Sequence, residues 1–567
     1  MKKPLAIGID NYKAMIDQNY YYVDKTMLMK EILDKQGAVS LFTRPRRFGK
    51  TLALSMLKTY FEKEYTRDGV LLDNSRYFEG KKILDAGERY TGEMGQYPVI
   101  SLSLKSAKQP DFETAYVCLM NEIGREFDRH NYVVESDALT QEEKIRFLQI
   151  RDQKAEHAVN VTALQFLSFC LEKYHHKKTI ILIDEYDVPL ENAYFRQFYD
   201  QMIDFVRSLF ESALKTNDSL QFAVITGCLR ISRESIFTGL NNLQIISVLN
   251  ENYAEYFGFI QDEIDRMVEF YDLKEKEKEL KDWYDGYLFG KTEVYNPWSV
   301  INYIYSNVTE TVAFPKPYWS NTSSNSIVRE LVETANSEVK QEIEKLIAGD
   351  TIEKPVHEEI TYGDIHKSQD NLWNFLFFTG YLKAEGQRLE EDTIYLTMKI
   401  PNMEVRYIYR NMIREWFADR IKVWDFTALY QAFLDEDETK IEAEIRDILK
   451  ISISYYDGNE GFYHGIMAGL LQSWSSYTIK SNRESGDGRP DLVLIPLDER
   501  DPLYILEFKY TKVFTEMDAG CQQALQQIED MNYDEEYLNE GYLNIRKFGI
   551  CFCKKSCRVK KPSEQIR

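Results

Sequence analysis

Residues 41–52 read LFTRPRRFGKTL. The stretch closes on Gly49-Lys50-Thr51, the end of the phosphate-binding pattern G-x-x-x-x-G-K-[ST], but Arg44 stands where the first glycine belongs. A Gly-Lys-Thr tripeptide arises readily by chance, so its surroundings decide the reading. The apolar run AVSLF (38–42) supplies a strand in front of it, and Ala53, Met56, Leu57, Tyr60 and Phe61 recur at helical spacing behind it. The tripeptide therefore falls at a helix start, where free backbone N–H groups and the helix dipole favour an anionic phosphate. Placed there, Lys50 reaches the β- and γ-phosphates of ATP and the Thr51 hydroxyl ligates Mg2+.

Such a site needs a second strand that is buried and ends in acid. TIILIDEYD (179–187) provides it, with four consecutive aliphatics running into Asp184 and Glu185. Asp184 is expected to hold Mg2+ through water, and Glu185 to orient and deprotonate the attacking water. FAVITG (222–227) then gives a strand ending at Thr226, a polar contact for the γ-phosphate, with Arg230 and Arg233 beyond it as arginine-finger candidates or as solvated surface charges. With PVISLSL (98–104) and IISVL (245–249), these runs alternate with helical patterns, the mark of an α/β fold with a mostly parallel sheet covered on both faces.

The remaining composition bounds the chain. Its 567 residues exceed what one hydrophobic core serves, so several domains are expected. No apolar run is long enough to span a bilayer, and the N-terminus has no signal-peptide core. A soluble cytoplasmic protein with no membrane partner is expected. The seven cysteines include Cys551, Cys553 and Cys557, but no fourth ligand stands near them, so zinc is not assigned. A net charge of −22 argues against a surface coated for nucleic acid, since duplex affinity comes largely from neutralising phosphates, though it leaves room for a local basic groove. From about 250 to 445 the chain turns helical and aromatic-rich, with a hairpin near LKAEG and TIYLTMKIPN. The aromatic clusters there read as core, and His357 and His366 lack metal-ligand spacing. The acidic run 435–447 reads as a solvated helix or a linker.

A second chemical pattern lies in GRPDLVLIPLDERDPLYILEFKY (488–510). Two apolar strands flank a turn, Glu507 and Lys509 share one strand face, and Asp491 opens the partner strand. Two carboxylates and a lysine are what metal-dependent phosphodiester cleavage uses. The acids hold Mg2+, and the lysine helps orient the water or offsets developing charge. Upstream, Glu460 and His464 sit four apart on an expected helix, with Glu460 placed to touch the metal or to support one of its ligands. Downstream, Gln527 is a candidate to support a metal ligand or to touch substrate, and the basic tail KKSCRVKKP (554–562) reads as a phosphate contact or a solvated terminus.

The stretches YYYVDKT (20–26), FTRPRRFGKTL, ILIDEYD, ITGCLRISRESIFTGLNNL, WYDGYLFG (283–290) and VYNPWSVINYI resemble the AAA-ATPase-like family of bacterial proteins, in which a P-loop domain is fused to a nuclease-like domain. Pro490-Asp491 followed by Glu507-Phe508-Lys509 resembles the PD-(D/E)XK nuclease superfamily. The resemblance implies a P-loop NTPase domain at 1–250, a helical lid domain at 251–450 and a restriction-endonuclease-like α/β domain at 451–567. It makes Arg-Pro-Arg-Arg-Phe this family's own form of the loop. Pro45 fixes a backbone angle, Arg46 and Arg47 add charge near the phosphates, and the missing glycine is expected to stiffen the cradle and slow turnover. The expected nucleotide contacts are Arg46, Arg47, Phe48, Gly49, Lys50, Thr51, Leu52, Asp184, Thr226 and Arg230. The expected activity is ATP-gated cleavage of nucleic acid, DNA ahead of RNA, by a chain that can form homo-oligomers. The alternative is a nucleotide-dependent switch whose nuclease-like domain only docks partners.

Overall fold

The computed structural model describes residues 2–66, 69–229, 236–237, 241–319, 337–357, 368–421, 425–452, 460–472, 474–481 and 490–562. The chain divides into two compact units, Met1–Leu331 with Thr351–Ile408 and Val332–Asp350 with Tyr409–Arg567.

In the first unit five parallel strands, β1 (Val39–Thr43), β2 (Val99–Ser103), β3 (Thr179–Asp184), β4 (Leu220–Gly227) and β5 (Leu243–Ile246), lie in the order β2-β3-β4-β1-β5. Every residue of β1 and of β3 is buried, as a parallel sheet covered on both faces requires of its central strands. All five runs expected from sequence pair in this sheet. The fifth differs most in extent: it pairs over 243–246, and Asn250 then accepts the Ser247 N–H at 2.7 Å and turns the chain away. Because β4 lies between β1 and β3, the end of β4 brings Thr226 between the phosphate loop and Asp184. The helix Lys50–Phe61 buries Ala53, Met56, Leu57, Tyr60 and Phe61, the face its apolar spacing predicts.

The helical middle region packs against this sheet within the same unit. Helices Gln261–Phe270, Glu277–Tyr284 and Pro297–Thr309 enclose a core rich in tyrosine, including Tyr271, Tyr284, Tyr295 and Tyr303. A short hairpin, β6 (Tyr287–Phe289) and β7 (Thr292–Val294), joins two of them. The N-terminal arm is fastened here by Lys25, whose ammonium meets the buried Glu263 carboxylate at 2.6 Å. A three-stranded antiparallel sheet follows, with β10 (Thr393–Lys399) between β8 (Ile352–Pro355) and β9 (Lys383–Glu390), so the expected hairpin is present. Glu404 then opens the helix Met403–Ile421 as a fully buried carboxyl. It accepts hydrogen bonds from the Ser299 hydroxyl at 2.8 Å and the Trp319 N–H at 2.9 Å. Burial pushes its pKa up to about 8.

The second unit carries a mixed sheet, β11 (Tyr477–Ser481), β12 (Leu492–Pro496), β13 (Leu503–Tyr510), β14 (Ile545–Cys553) and β15 (Ser556–Lys560), in chain order. β13 and β14 are parallel and the other neighbours antiparallel. The helix Met517–Asp530 makes the crossover, and Gly549 is needed where it packs: a Cβ there would stand 2.4 Å from the Cys521 carbonyl. The acidic run 435–447 falls mostly in the helix Glu438–Ser452, whose Ile441, Ile445, Ile448 and Leu449 enter the core with Phe433, Trp474, Tyr504 and Phe548. Two edge strands, β11 and β15, were not expected. The basic tail is β15 rather than a free terminus, and much of its charge is spent on Arg558–Glu442 (3.1 Å) and Lys560–Asp518 (2.7 Å).

The Glu404 carboxyl yields a test. Its pKa lies near 4.5 when unfolded and about 8 when folded, so the folded chain holds an extra proton between those values. Stability must therefore fall as pH rises through that window. Glu404→Gln, which mimics the protonated form, should flatten the loss of melting temperature that wild type shows between about pH 5 and about pH 8. Parallel melting curves for the two proteins across that range would refute the assignment.

Candidate functional site

The phosphate loop runs from the end of β1 into the helix Lys50–Phe61. Its left-handed residues are Arg47, at φ 70°, and Gly49, at φ 82°. Arg44 is not among them, so the glycine that the general pattern places there is not required by the backbone. Instead the Arg44 side chain is wholly buried. Its guanidinium donates to the Thr43 and Ile246 carbonyls, each at 3.0 Å, and lies 5.5 Å from the Phe257 ring and 4.9 Å from the Phe289 ring. Burial pushes its pKa down to about 9, which leaves it charged at neutral pH.

The rest of the loop is held from the same direction. Phe48 is 1% exposed, with its ring 4.9 Å from Tyr287 and 5.3 Å from Phe289. Arg47 stacks over Trp298 at 4.3 Å. Gly380 lets Pro45 pack close, since a Cβ there would come within 2.9 Å of it. Arg46 turns the other way and donates to Glu191 at 2.6 Å. The aromatic stretch WYDGYLFG, read from sequence as core, is thus the seat of the loop.

The polar residues of the site converge at the ends of the three central strands. Thr51 donates to one Asp184 oxygen at 2.6 Å, and Thr226 donates to the other at 2.5 Å. The buried Lys50 ammonium donates to the Arg44 and Pro45 carbonyls at 2.8 and 2.9 Å. Glu185 has φ 52°, and burial first, then the neighbouring Asp184, raises its pKa. Leu52 lies half-buried in the first turn of the helix. Arg230 and Arg233 lie outside the described residues. Asp187 and Glu191, not singled out from sequence, matter as supports: Asp187 accepts the Cys228 and Leu229 N–H groups at 2.7 and 3.1 Å and so fixes the turn after β4. Their only signal was the acid-rich continuation of the β3 run. Helix-start N–H groups with no partner inside the helix, a lysine, and a threonine–aspartate pair form a donor set that fits a nucleotide triphosphate with Mg2+.

The second site lies at one end of the mixed sheet. The Asp491 N–H donates to Glu507 at 3.2 Å, the Phe508 N–H donates to the Asp491 carboxylate at 2.8 Å, and Lys509 stands 3.5 Å from Glu507. Glu507 is 2% exposed, and its pKa is pushed up to about 7 by burial first and by Asp491 second, against the pull of Lys509. The His464 ring nitrogen bonds the Asp491 carbonyl at 2.8 Å, and its ring meets Phe508 edge-on. Glu460 opens the helix Glu460–Gln472 that carries His464, and its side chain lies outside the described residues. Gln527 donates to the Tyr533 hydroxyl at 3.2 Å. Two crowded carboxylates with one ammonium beside them fit a divalent ion that takes oxygen ligands and keeps waters, of the Mg2+ type. Among the described residues no group of three or more His, Cys, Asp or Glu gathers as a metal site, and burial raises the Cys553 and Cys557 thiols away from the thiolate that zinc takes.

Comparison with known proteins agrees with this division. Residues 6–237 match the family of predicted AAA-ATPases, and residues 458–562 match the PD-(D/E)XK nuclease superfamily. A relative from Azotobacter chroococcum mcd 1, described as an uncharacterized protein in the vnfD 5′ region, is 25% identical over 580 residues that cover 98% of both chains. No described helix is long and apolar enough to cross a membrane.

Restoring the general pattern at the loop should harm this protein. Arg44→Gly strips two buried carbonyls of their donor and leaves a cavity between Phe257 and Phe289. It should lower stability by about 3 kcal/mol in denaturant unfolding. An Arg44→Gly chain as stable as wild type would contradict the structural role given to this arginine.

Proposed function

We propose that this chain is an ATP-responsive, metal-dependent nuclease that acts on DNA in preference to RNA. The observation that carries the reading is the convergence of Asp491, Glu507 and Lys509 on one end of the mixed sheet, in a buried setting that holds two carboxylates against each other.

Asp491 and Glu507 would hold a divalent ion, and the chemistry it would supply is Lewis acidity toward water and the scissile phosphate. Lys509, beside Glu507, offsets negative charge that develops on the phosphate oxygens. His464 keeps the Asp491 main chain in place, and the Phe508 N–H fixes the direction of the Asp491 carboxylate. In the first unit, Lys50 and the N–H groups of the first helical turn take the ATP phosphates. Arg46, Arg47, Phe48, Gly49 and Leu52 shape the loop around them, and Thr51 and Asp184 hold Mg2+. Thr226 faces the γ-phosphate. Glu185, whose pKa is raised by burial and by the neighbouring Asp184, would take a proton from the attacking water. The joining of the two modules in one chain supports a gate, with the nucleotide state setting whether the nuclease acts.

One observation favours a second reading, a nucleotide-dependent switch in which turnover matters less than binding. Lys50 is already satisfied by its own loop, and that loop is pinned by buried rings, which suits a slow, state-holding site.

Cleavage assays separate the two. Single- and double-stranded DNA and RNA would be incubated with wild type, Lys50→Ala and Glu507→Ala, with Mg2+ or Mn2+, with and without ATP. Wild type should cut at least one substrate. Glu507→Ala should lose about a thousandfold or more in rate, and Lys50→Ala should lose only the response to ATP. Undiminished cleavage by Glu507→Ala rejects the nuclease site, and no cleavage by wild type under any condition leaves the switch.

A further inference from the structure

Beyond the acids, the same end of the mixed sheet carries an aromatic and basic rim. β13 and β14 run parallel, with Glu507 opposite Gly549, so the segment after Tyr510 and the turn after Cys553 emerge together. The Thr511 N–H holds the Phe552 carbonyl at 2.9 Å and keeps the two chains side by side beyond the strands. At roughly 3.3 Å per residue the turn after Cys553 stands about 13 Å past the acids, a span of a few nucleotides.

Phe514 sits in this segment with 54% of its surface exposed, beside the exposed Val513 and Lys512. The Lys554 ammonium lies 5.7 Å from the centre of its ring. Lys554 is itself held out at the turn: its backbone is left-handed, at φ 54°, and its carbonyl accepts the Tyr463 hydroxyl at 2.7 Å. Tyr463 stacks in turn on Phe552, 4.4 Å away and nearly coplanar. The rim is therefore built on a rigid ring stack. It also differs from the rest of the basic C-terminus, where Arg558, Lys560 and Lys561 are taken up by Glu442, Asp518 and Glu436.

We infer that Phe514, with Lys512 and Lys554, forms a seat for single-stranded nucleic acid leading into the acid site. The inference deepens the nuclease reading and rests on it for the direction in which the strand runs. Lysines meet backbone phosphates, and Lys512 and Lys554 stand here beside one carboxylate, Glu516, which accepts the Thr511 hydroxyl at 2.7 Å. An exposed ring binds a base by its flat face, and that face is free only in an unpaired, unstacked strand. A duplex offers the phosphates but not the base faces. The seat therefore selects single strands, overhangs or flaps, in DNA or RNA alike.

The test uses the full chain and end-labelled strands of about 15 nucleotides, as single-stranded DNA, single-stranded RNA and the matching DNA duplex, followed by fluorescence anisotropy with Ca2+ in place of Mg2+. A single strand should bind at least about tenfold more tightly than the duplex. Phe514→Ala should erase about tenfold of single-strand affinity and leave duplex affinity unchanged, and Phe514→Trp should keep it. Lys554→Ala should weaken both forms and lower the salt dependence by about one phosphate contact. Equal or tighter duplex binding, or Phe514→Ala binding like wild type, overturns the seat. The cleavage assay reads the other claim separately: strands that bind through Phe514 but are never cut keep the seat and reject the catalytic reading, whereas duplex cutting indifferent to Phe514 does the reverse.

Discussion

The phosphate loop of this protein is held by buried rings rather than by glycines. Phe48 fills the gap between Tyr287 and Phe289, Arg44 spans Phe257 and Phe289, and Arg47 lies on Trp298. Each contact ties a loop residue to the segment from 257 to 298, so the loop and the helical region move as one packed body. A loop of this kind resists the small backbone adjustments that a glycine-rich loop allows. It also gives the nucleotide state a direct mechanical outlet: any shift of Phe48 must be taken up by Tyr287 and Phe289.

The two acid sites solve the same problem in different ways. Both place a carboxylate where a strand ends against the core, a costly position for charge. Asp184 is satisfied by two hydroxyl donors, Thr51 and Thr226, and by the Glu185 N–H. Among the described residues Glu507 has one backbone donor and a lysine at 3.5 Å, against burial and a neighbouring acid, and its pKa climbs to about 7. The nuclease-type site is the one with a charge deficit, the condition on which the proposed divalent ion rests.

How much of this was legible from sequence follows from the range of each interaction. The parallel sheet was readable because β1 and β3 are buried along their whole length and are written as largely apolar runs. Lys50, Thr51 and Asp184 were readable because a strand, a helix start and a strand end fix their places locally. Asp491, Glu507 and Lys509 were readable because alternation along β13 sets which side chains share a face. The role of Arg44 was not, since its partners Ile246, Phe257 and Phe289 are distant in the chain and no periodicity announces them. The same holds for the aromatic seat of Phe48. β15 was misread because alternate positions of Ser-Cys-Arg-Val-Lys carry charge, as an exposed edge strand does, and the run looks like a solvated tail. Gln527 was picked out by its place on the helix after the motif, and its hydrogen bond goes to Tyr533.

The charge deficit around Glu507 is the claim on which the account stands, and metal binding reads it without any substrate. Mn2+ titrated into the nucleotide-free full chain, with the unbound ion followed by electron paramagnetic resonance, should reveal one retained ion in wild type and in Lys50→Ala, and none in Glu507→Gln. An ion held equally well by Glu507→Gln would contradict the account.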